Sequence, residues 1–296
     1  MENKNSKLIP WLLFGLLSII WGSSFILMKR GMFTATGTPT LSAFQVAALR
    51  MLSAGVVLLP IALIHIRKIP KEKTGWIVLS GLLGSFFPAF LFCIAETKID
   101  SSLAGFLNAL TPIFTIVVGI LFFKATIQKQ KITGVLIAFV GMLILFLSNP
   151  DINLQYLWFA GFVLLATILY GFNVNIASSH LKEISSTVIA AIAFGSLVPL
   201  SLVVLFYTGF FELPLANSDL LISTGASTIL GVFGTALATI LFYILLKRAG
   251  AIFASMVTYG IPFVALAWGL ATGESIHALQ VVGLSIILIG VYRANK

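Results

Sequence analysis

A few side chains in this chain of 296 residues sit where their surroundings offer no ordinary reason for them. Arg50 stands about nine residues inside a long apolar run, roughly 14 Å from its start at helical rise. A guanidinium near the middle of a bilayer costs at least about 2.5–3.5 kcal/mol, so it must face a bundle interior or a wet cavity. Two readings fit it: a contact for a carboxylate, or a structural donor to helix-end carbonyls. Asn108, Thr111 and Thr115 surround Pro112, and Ser255, Thr258 and Tyr259 precede Pro262. Spacings of three and four put most of each set on one helix face. Each proline removes a backbone bond and frees a carbonyl one turn earlier, at Asn108 and Thr258, which suits a kink or a gate. The same hydroxyls and amides can also serve only as glue between helices. Trp21 with Ser24, and Tyr170 with Asn173, offer aromatic faces beside polar groups; they can stack a flat substrate or simply pack.

The missing groups narrow the chemistry further. No Asp or Glu lies in the middle of an apolar run, and Glu96 and Glu274 near run ends are the only fallbacks for proton coupling. Cys93 is the single cysteine, and His65, His180 and His277 are far apart and near run ends. There is no glycine loop of the kind that cradles nucleotide phosphates. Catalytic residues, a metal site and a cofactor are therefore not expected, and the chain does not read as an enzyme.

The elements that position these residues are set by composition. Hydrophobic residues make up 59% and charged residues only 9%, against roughly 25% charged in soluble domains. Apolar runs long enough for a spanning helix of about 20 residues fall at 10–33, 41–64, 76–95, 101–123, 131–148, 157–178, 186–209, 221–246, 251–272 and 278–293. The expected fold is an all-α polytopic membrane protein of ten transmembrane helices. With the N-terminus placed in the cytoplasm, 14 Lys and Arg fall in inner connectors and 3 (Lys29, Arg30 and Lys98) in outer ones. The rule that cytoplasmic loops retain basic residues then makes both termini cytoplasmic and explains the net charge of +9 without a nucleic-acid partner.

An internal repeat divides the chain. Shifted by 150, residues 75–124 align without a gap on 225–274, and Gly75/Gly225, Gly81/Gly231, Gly84/Gly234, Pro112/Pro262 and Gly119/Gly269 are identical. Shifted by 149, Trp21-Gly22 falls on Tyr170-Gly171, Ser24 on Asn173, Gly134 on Gly283 and Gly141 on Gly290. Arg50 has no convincing counterpart. Five spans per copy is an odd number, so the second copy must run through the membrane upside down. Two inverted five-helix repeats, 10–148 and 157–293, imply a site at their interface near the midplane.

These residues resemble the drug/metabolite transporter superfamily, and among it the ten-helix EamA-type transporters. The likeness spans both repeats and rests on Trp21-Gly22-Ser23-Ser24-Phe25, Arg50, Leu110-Thr111-Pro112, Gly260-Ile261-Pro262, Gly273-Glu274 and the Gly283/Gly290 spacing. One departure is Lys124, where the family commonly closes the fourth helix with Glu. The resemblance implies a secondary transporter of the cytoplasmic (inner) membrane. Together with the residues it predicts export or facilitated passage of a small neutral or zwitterionic metabolite or amino acid by alternating access. Efflux of drugs or toxic compounds is the alternative; a non-transporting scaffold or sensor fits less well. The expected contacts are Trp21, Ser24, Arg50, Asn108, Thr111, Tyr170, Asn173, Ser255, Thr258 and Tyr259, with Pro112 and Pro262 as kinks. The expected partners are the bilayer and a small-molecule substrate, in a monomer or weak homodimer.

Overall fold

The computed structural model describes residues 4–148, 156–214, 216–271 and 277–295; Glu274 and the C-terminal Lys296 lie outside them. Seven helices run in order from the N-terminal side: α1 (Lys4–Met32), α2 (Ala43–His65), α3 (Lys71–Ala95), α4 (Ser101–Phe123), α5 (Lys129–Leu147), α6 (Leu157–His180) and α7 (Ser186–Tyr207). The next apolar span, Ser218–Trp268, is 51 residues long. Straight, it would extend about 77 Å, more than twice the thickness of a bilayer core. It is broken at Gly250, whose φ of 84° and ψ of 169° are not helical. Glycine has no Cβ to clash at this φ, so the chain turns back there. The result is two helices, α8 (218–249) and α9 (251–271), followed by α10 (Ala278–Asn295).

Helix ends follow from local chemistry. Ser42 accepts from the Gln45 amide while the Gln45 side chain accepts from the Ser42 amide, a reciprocal cap that starts α2. Lys124 ends α4 in the left-handed conformation at φ 51°. Pro112 interrupts α4: the helix stops at Asn108 and restarts at Thr111. Before Pro262 the chain tightens into a 3-10 turn over Met256–Gly260.

The helix pairings obey the repeat. α5 packs along α10 and α2 along α7, each joining equivalent helices of the two halves. Likewise α6 lies against α3 and α4 as α1 lies against α8 and α9. Glycines permit the closest of these approaches. A Cβ on Gly141 would come within 2.6 Å of the Gly283 carbonyl, and one on Gly283 within 2.9 Å of the Gly141 carbonyl. The sides of the helices turn large apolar residues outward, with Leu12, Leu63, Phe122, Leu147 and Phe206 exposed, and Trp158 at 93% exposure near the start of α6. Apolar surface on this scale is disallowed in water and suits lipid. The protein is a multi-pass membrane protein.

Candidate functional site

Polar groups converge where the two halves meet. The i→i+4 ladder of α3 loosens into a π-helical stretch at Leu82–Phe86, and that of α8 does so at Val232–Leu237. These segments are equivalent under the 150-residue shift. Such π turns are rare and often mark functional sites. Each carries a glycine against a helix of the other half: a Cβ on Gly84 would collide with the Asn173 amide, and one on Gly234 with the Ser24 hydroxyl. Since Asn173 and Ser24 are themselves repeat partners, the same contact is built twice.

Between these segments lies a cavity of about 110 Å³. For scale, an apolar cavity of about 150 Å³ accommodates benzene. Twenty residues line it, and sixteen of them form eight repeat pairs, among them Trp21/Tyr170, Ser24/Asn173, Ser85/Thr235, Phe92/Phe242 and Asn108/Thr258. Arg50, Met28, Thr239 and Ser255 are the four without a lining counterpart. Nine of the ten residues expected from the sequence line this cavity: Trp21, Ser24, Arg50, Asn108, Thr111, Tyr170, Asn173, Ser255 and Thr258.

Tyr259 does not, and this corrects the expectation. It is fully buried with its hydroxyl donating to the Val135 carbonyl of α5 at 3.2 Å. The cause is the 3-10 turn. In an α-helix Tyr259 would sit about 40° from Ser255 around the axis, but at three residues per turn it sits about 120° away, while Thr258 eclipses Ser255. The prolines do not line the cavity either; they shape the helices that do. Thr239, Phe92 and Phe242 are wall residues that polar spacing did not single out, although Phe92/Phe242 was an identical pair in the repeat.

Hydrogen bonds fix some of the wall and leave other groups available. Arg50 Nε donates to Thr235 Oγ1 at 2.6 Å, and Thr235 donates to the Leu230 carbonyl. Among the described residues the terminal guanidinium nitrogens of Arg50 make no hydrogen bond or ion pair. Asn173 Oδ1 accepts from Ser80 and, at 3.3 Å, from Tyr243, which orients its amide nitrogen away from that pair. Thr111 donates to the carbonyl freed at Asn108, at 2.7 Å, and to its Oδ1 at 3.2 Å. Trp21 donates from its indole to the Gly234 carbonyl exposed by the π turn, at 3.2 Å. Asn175, two residues beyond Asn173, faces away and donates to the Thr115 and Gly171 carbonyls. Aromatic rings complete the walls: Trp21 lies 5.6 Å from Phe242, and Phe92 lies 6.2 Å from Tyr170. Among the described residues no acid lines the cavity. The site is rich in donors, carries one guanidinium, and has flat apolar walls. Such a site can hold a carboxylate beside an apolar group.

The EamA-like transporter family model matches residues 9–147 and again 157–295. The chain belongs to the EamA-like transporter family. Relatives of this transporter include one of Archaeoglobus fulgidus named a transporter, 25% identical over 289 residues, covering 95% of this chain and 97% of that one. Another, from Salmonella typhimurium, is named "Probable amino-acid metabolite efflux pump"; it is 26% identical over 287 residues, covering 94% and 91%. A solved crystal structure superposes with a TM-score of 0.72 over 99% of the transporter and 97% of that chain, at 16% identity, which speaks for the shared fold. The duplicated family match falls on the two five-helix halves, and the cavity lies between them.

Proposed function

We propose that this transporter moves small zwitterionic amino-acid metabolites across the cytoplasmic membrane, outward, by alternating access. The observation that carries the reading is Arg50: a guanidinium committed only through Nε, facing a cavity with no carboxylate to neutralise it. A planar fork of that kind is suited to binding a carboxylate through two parallel bonds. The Asn108 and Asn173 amides add neutral donors, the hydroxyls of Ser24 and Thr258 add acceptors for an ammonium, and the rings take up an apolar side chain. The name of the Salmonella relative supports the same class of substrate and the outward direction. The lysine-rich end, which carries Lys73, Lys131, Lys182 and Lys247, is the cytoplasmic one, and both termini lie there.

Counterflow in proteoliposomes across a panel of radiolabelled amino acids tests this. At least one neutral amino acid should exchange, its methyl ester should not compete, and Arg50→Met should abolish exchange while the variant still purifies as folded protein. No exchange for any amino acid, or full exchange by Arg50→Met, would refute the reading. The aromatic walls also admit flat hydrophobic compounds, so efflux of carboxylate-free drugs is the second reading; it predicts exchange that survives Arg50→Met.

A further inference from the structure

Glu96 lies in the corner between α3 and α4, at the end opposite the lysine-rich one, and it is completely buried. Its Oε2 accepts from Ser101 Oγ at 3.2 Å, while Oε1 has no hydrogen-bond partner among the described residues. Lys29, at the end of α1, does not pair with this carboxylate. Its ammonium donates instead to the Glu96 main-chain carbonyl at 2.7 Å and to the Ile99 carbonyl at 3.4 Å. One side chain thus ties the outer end of α1 to the α3–α4 corner, directly above Met28, which lines the central cavity.

The repeat gives this cluster a counterpart at the other end. Lys29 corresponds to Ser178, Glu96 to Leu246 and Ser101 to Ala251. Those three residues line a second cavity, of about 640 Å³, at the lysine-rich end, roofed by Thr115 and Asn175. The same crevice between equivalent helices is therefore open on one side and shut on the other.

We infer that Lys29, Glu96 and Ser101 form the outer gate, shut in this structure, and that Glu96 is the proton-binding group that controls it. The proposal rests on the alternating-access reading above. With its carboxyl protonated, Glu96 sits neutral in the corner and leaves Lys29 on the backbone carbonyls. Once the proton leaves, a buried charge with an unpartnered oxygen must either draw Lys29 off those carbonyls or admit water. Both loosen the tie between α1 and the corner. The other charged or titratable groups near Glu96 are Asp100 beside it in the corner and Cys93 one turn earlier on α3. Burial is the dominant influence on the carboxyl; Asp100 reinforces it, while Lys29 and Ser101 oppose it. The balance pushes Glu96 up to about 8. The gate therefore works in the range of pH across a living membrane. Protons from outside shut it, and their departure lets it open.

The test uses the full chain in right-side-out vesicles, in a Cys93→Ala background with Met28→Cys as reporter and a membrane-impermeant maleimide added outside. Rates are divided by those of Thr36→Cys, on the exposed α1–α2 loop, which removes the intrinsic pH dependence of the thiol. Between pH 7 and pH 9 the ratio should rise about tenfold, following the deprotonated fraction of Glu96. With Glu96→Gln it should stay at its low-pH value, and with Lys29→Met it should be high at both. Phe25→Cys, also on the cavity wall, serves as a second reporter if Met28→Cys does not fold. A ratio independent of pH, or one that rises equally in Glu96→Gln, overturns the gate. No substrate is needed, so this failure would leave the transport reading standing, and a failed counterflow assay would leave the gate standing.

Discussion

Arg50 spends one nitrogen on Thr235 and keeps its fork for the cavity, so its charge and its shape can be separated by substitution. Arg50→Lys keeps the charge but offers a point donor, and should weaken binding of a neutral amino acid about tenfold or more, measured as Kd by calorimetry. Arg50 was legible in the sequence because an isolated cation in an apolar run has so few tolerable surroundings; its free nitrogens were not, since they depend on where Thr235 lands. Glu96 shows the opposite case. Near the end of an apolar run it stood only as a fallback for proton coupling, and nothing in the local sequence announces that the α1 and α4 ends cover it. Its titration has a direct consequence for stability. The carboxyl is ordinary in the unfolded chain and raised to about 8 in the folded one, so the folded state holds a proton that the unfolded state releases. This contribution is fully present below about pH 4.5 and is lost as pH rises to about 8. In detergent, Glu96→Gln should therefore flatten the fall in melting temperature between pH 5 and 8, read against the wild type.

At the scale of elements, the paired π turns set the walls of the cavity. Each releases a carbonyl or widens a groove where a glycine meets the opposing motif, and Trp21 reads the one at Gly234. Gly84→Ala would push on the Asn173 amide and Gly234→Ala on the Ser24 hydroxyl. Overpacking of this kind typically costs about 1–3 kcal/mol. Because both contacts belong to the cavity wall, each variant should lose substrate affinity in counterflow before it loses its fold by size-exclusion chromatography. Gly141→Val, in the α5–α10 seam, should do the reverse: a lower melting temperature with substrate affinity in the folded fraction preserved. The glycine pairs were readable as close-packing positions from the repeat. The π turns were not, because an extra residue in a helical turn leaves no mark in an apolar run. The phase of Tyr259 failed for a related reason, since Pro262 imposed a 3-10 turn and helical periodicity assumes an α-helix.

At the scale of the molecule, two inverted halves share one cavity while differing at their ends. The 640 Å³ opening at the lysine-rich end and the sealed Lys29 corner at the other are what the proposed alternating-access cycle expects of one of its two states. Ten spans and the inverted arrangement followed from run lengths and from a handful of glycines and prolines, because inversion is forced by five helices per copy; the pairing of the helices did not. Which end stands open could not follow, since both arrangements use the same sequence. Without substrate, Ser178→Cys should label rapidly from the lysine-rich side in inside-out vesicles and Met28→Cys slowly from the other side at pH 7. Labelling of both at equal rates would contradict a two-state gate.

The absence of acids from the cavity wall reaches beyond recognition to the electrical character of the cycle. A zwitterion carries no net charge through the field, and a proton taken up and released at Glu96 stays at the outer rim. Moving one elementary charge through 100 mV is worth about 2.3 kcal/mol, and the cycle proposed above moves none. Transport should then respond to the acidity of the outer compartment and ignore the membrane potential. Clamping the voltage with potassium and an ionophore should leave the rate unchanged.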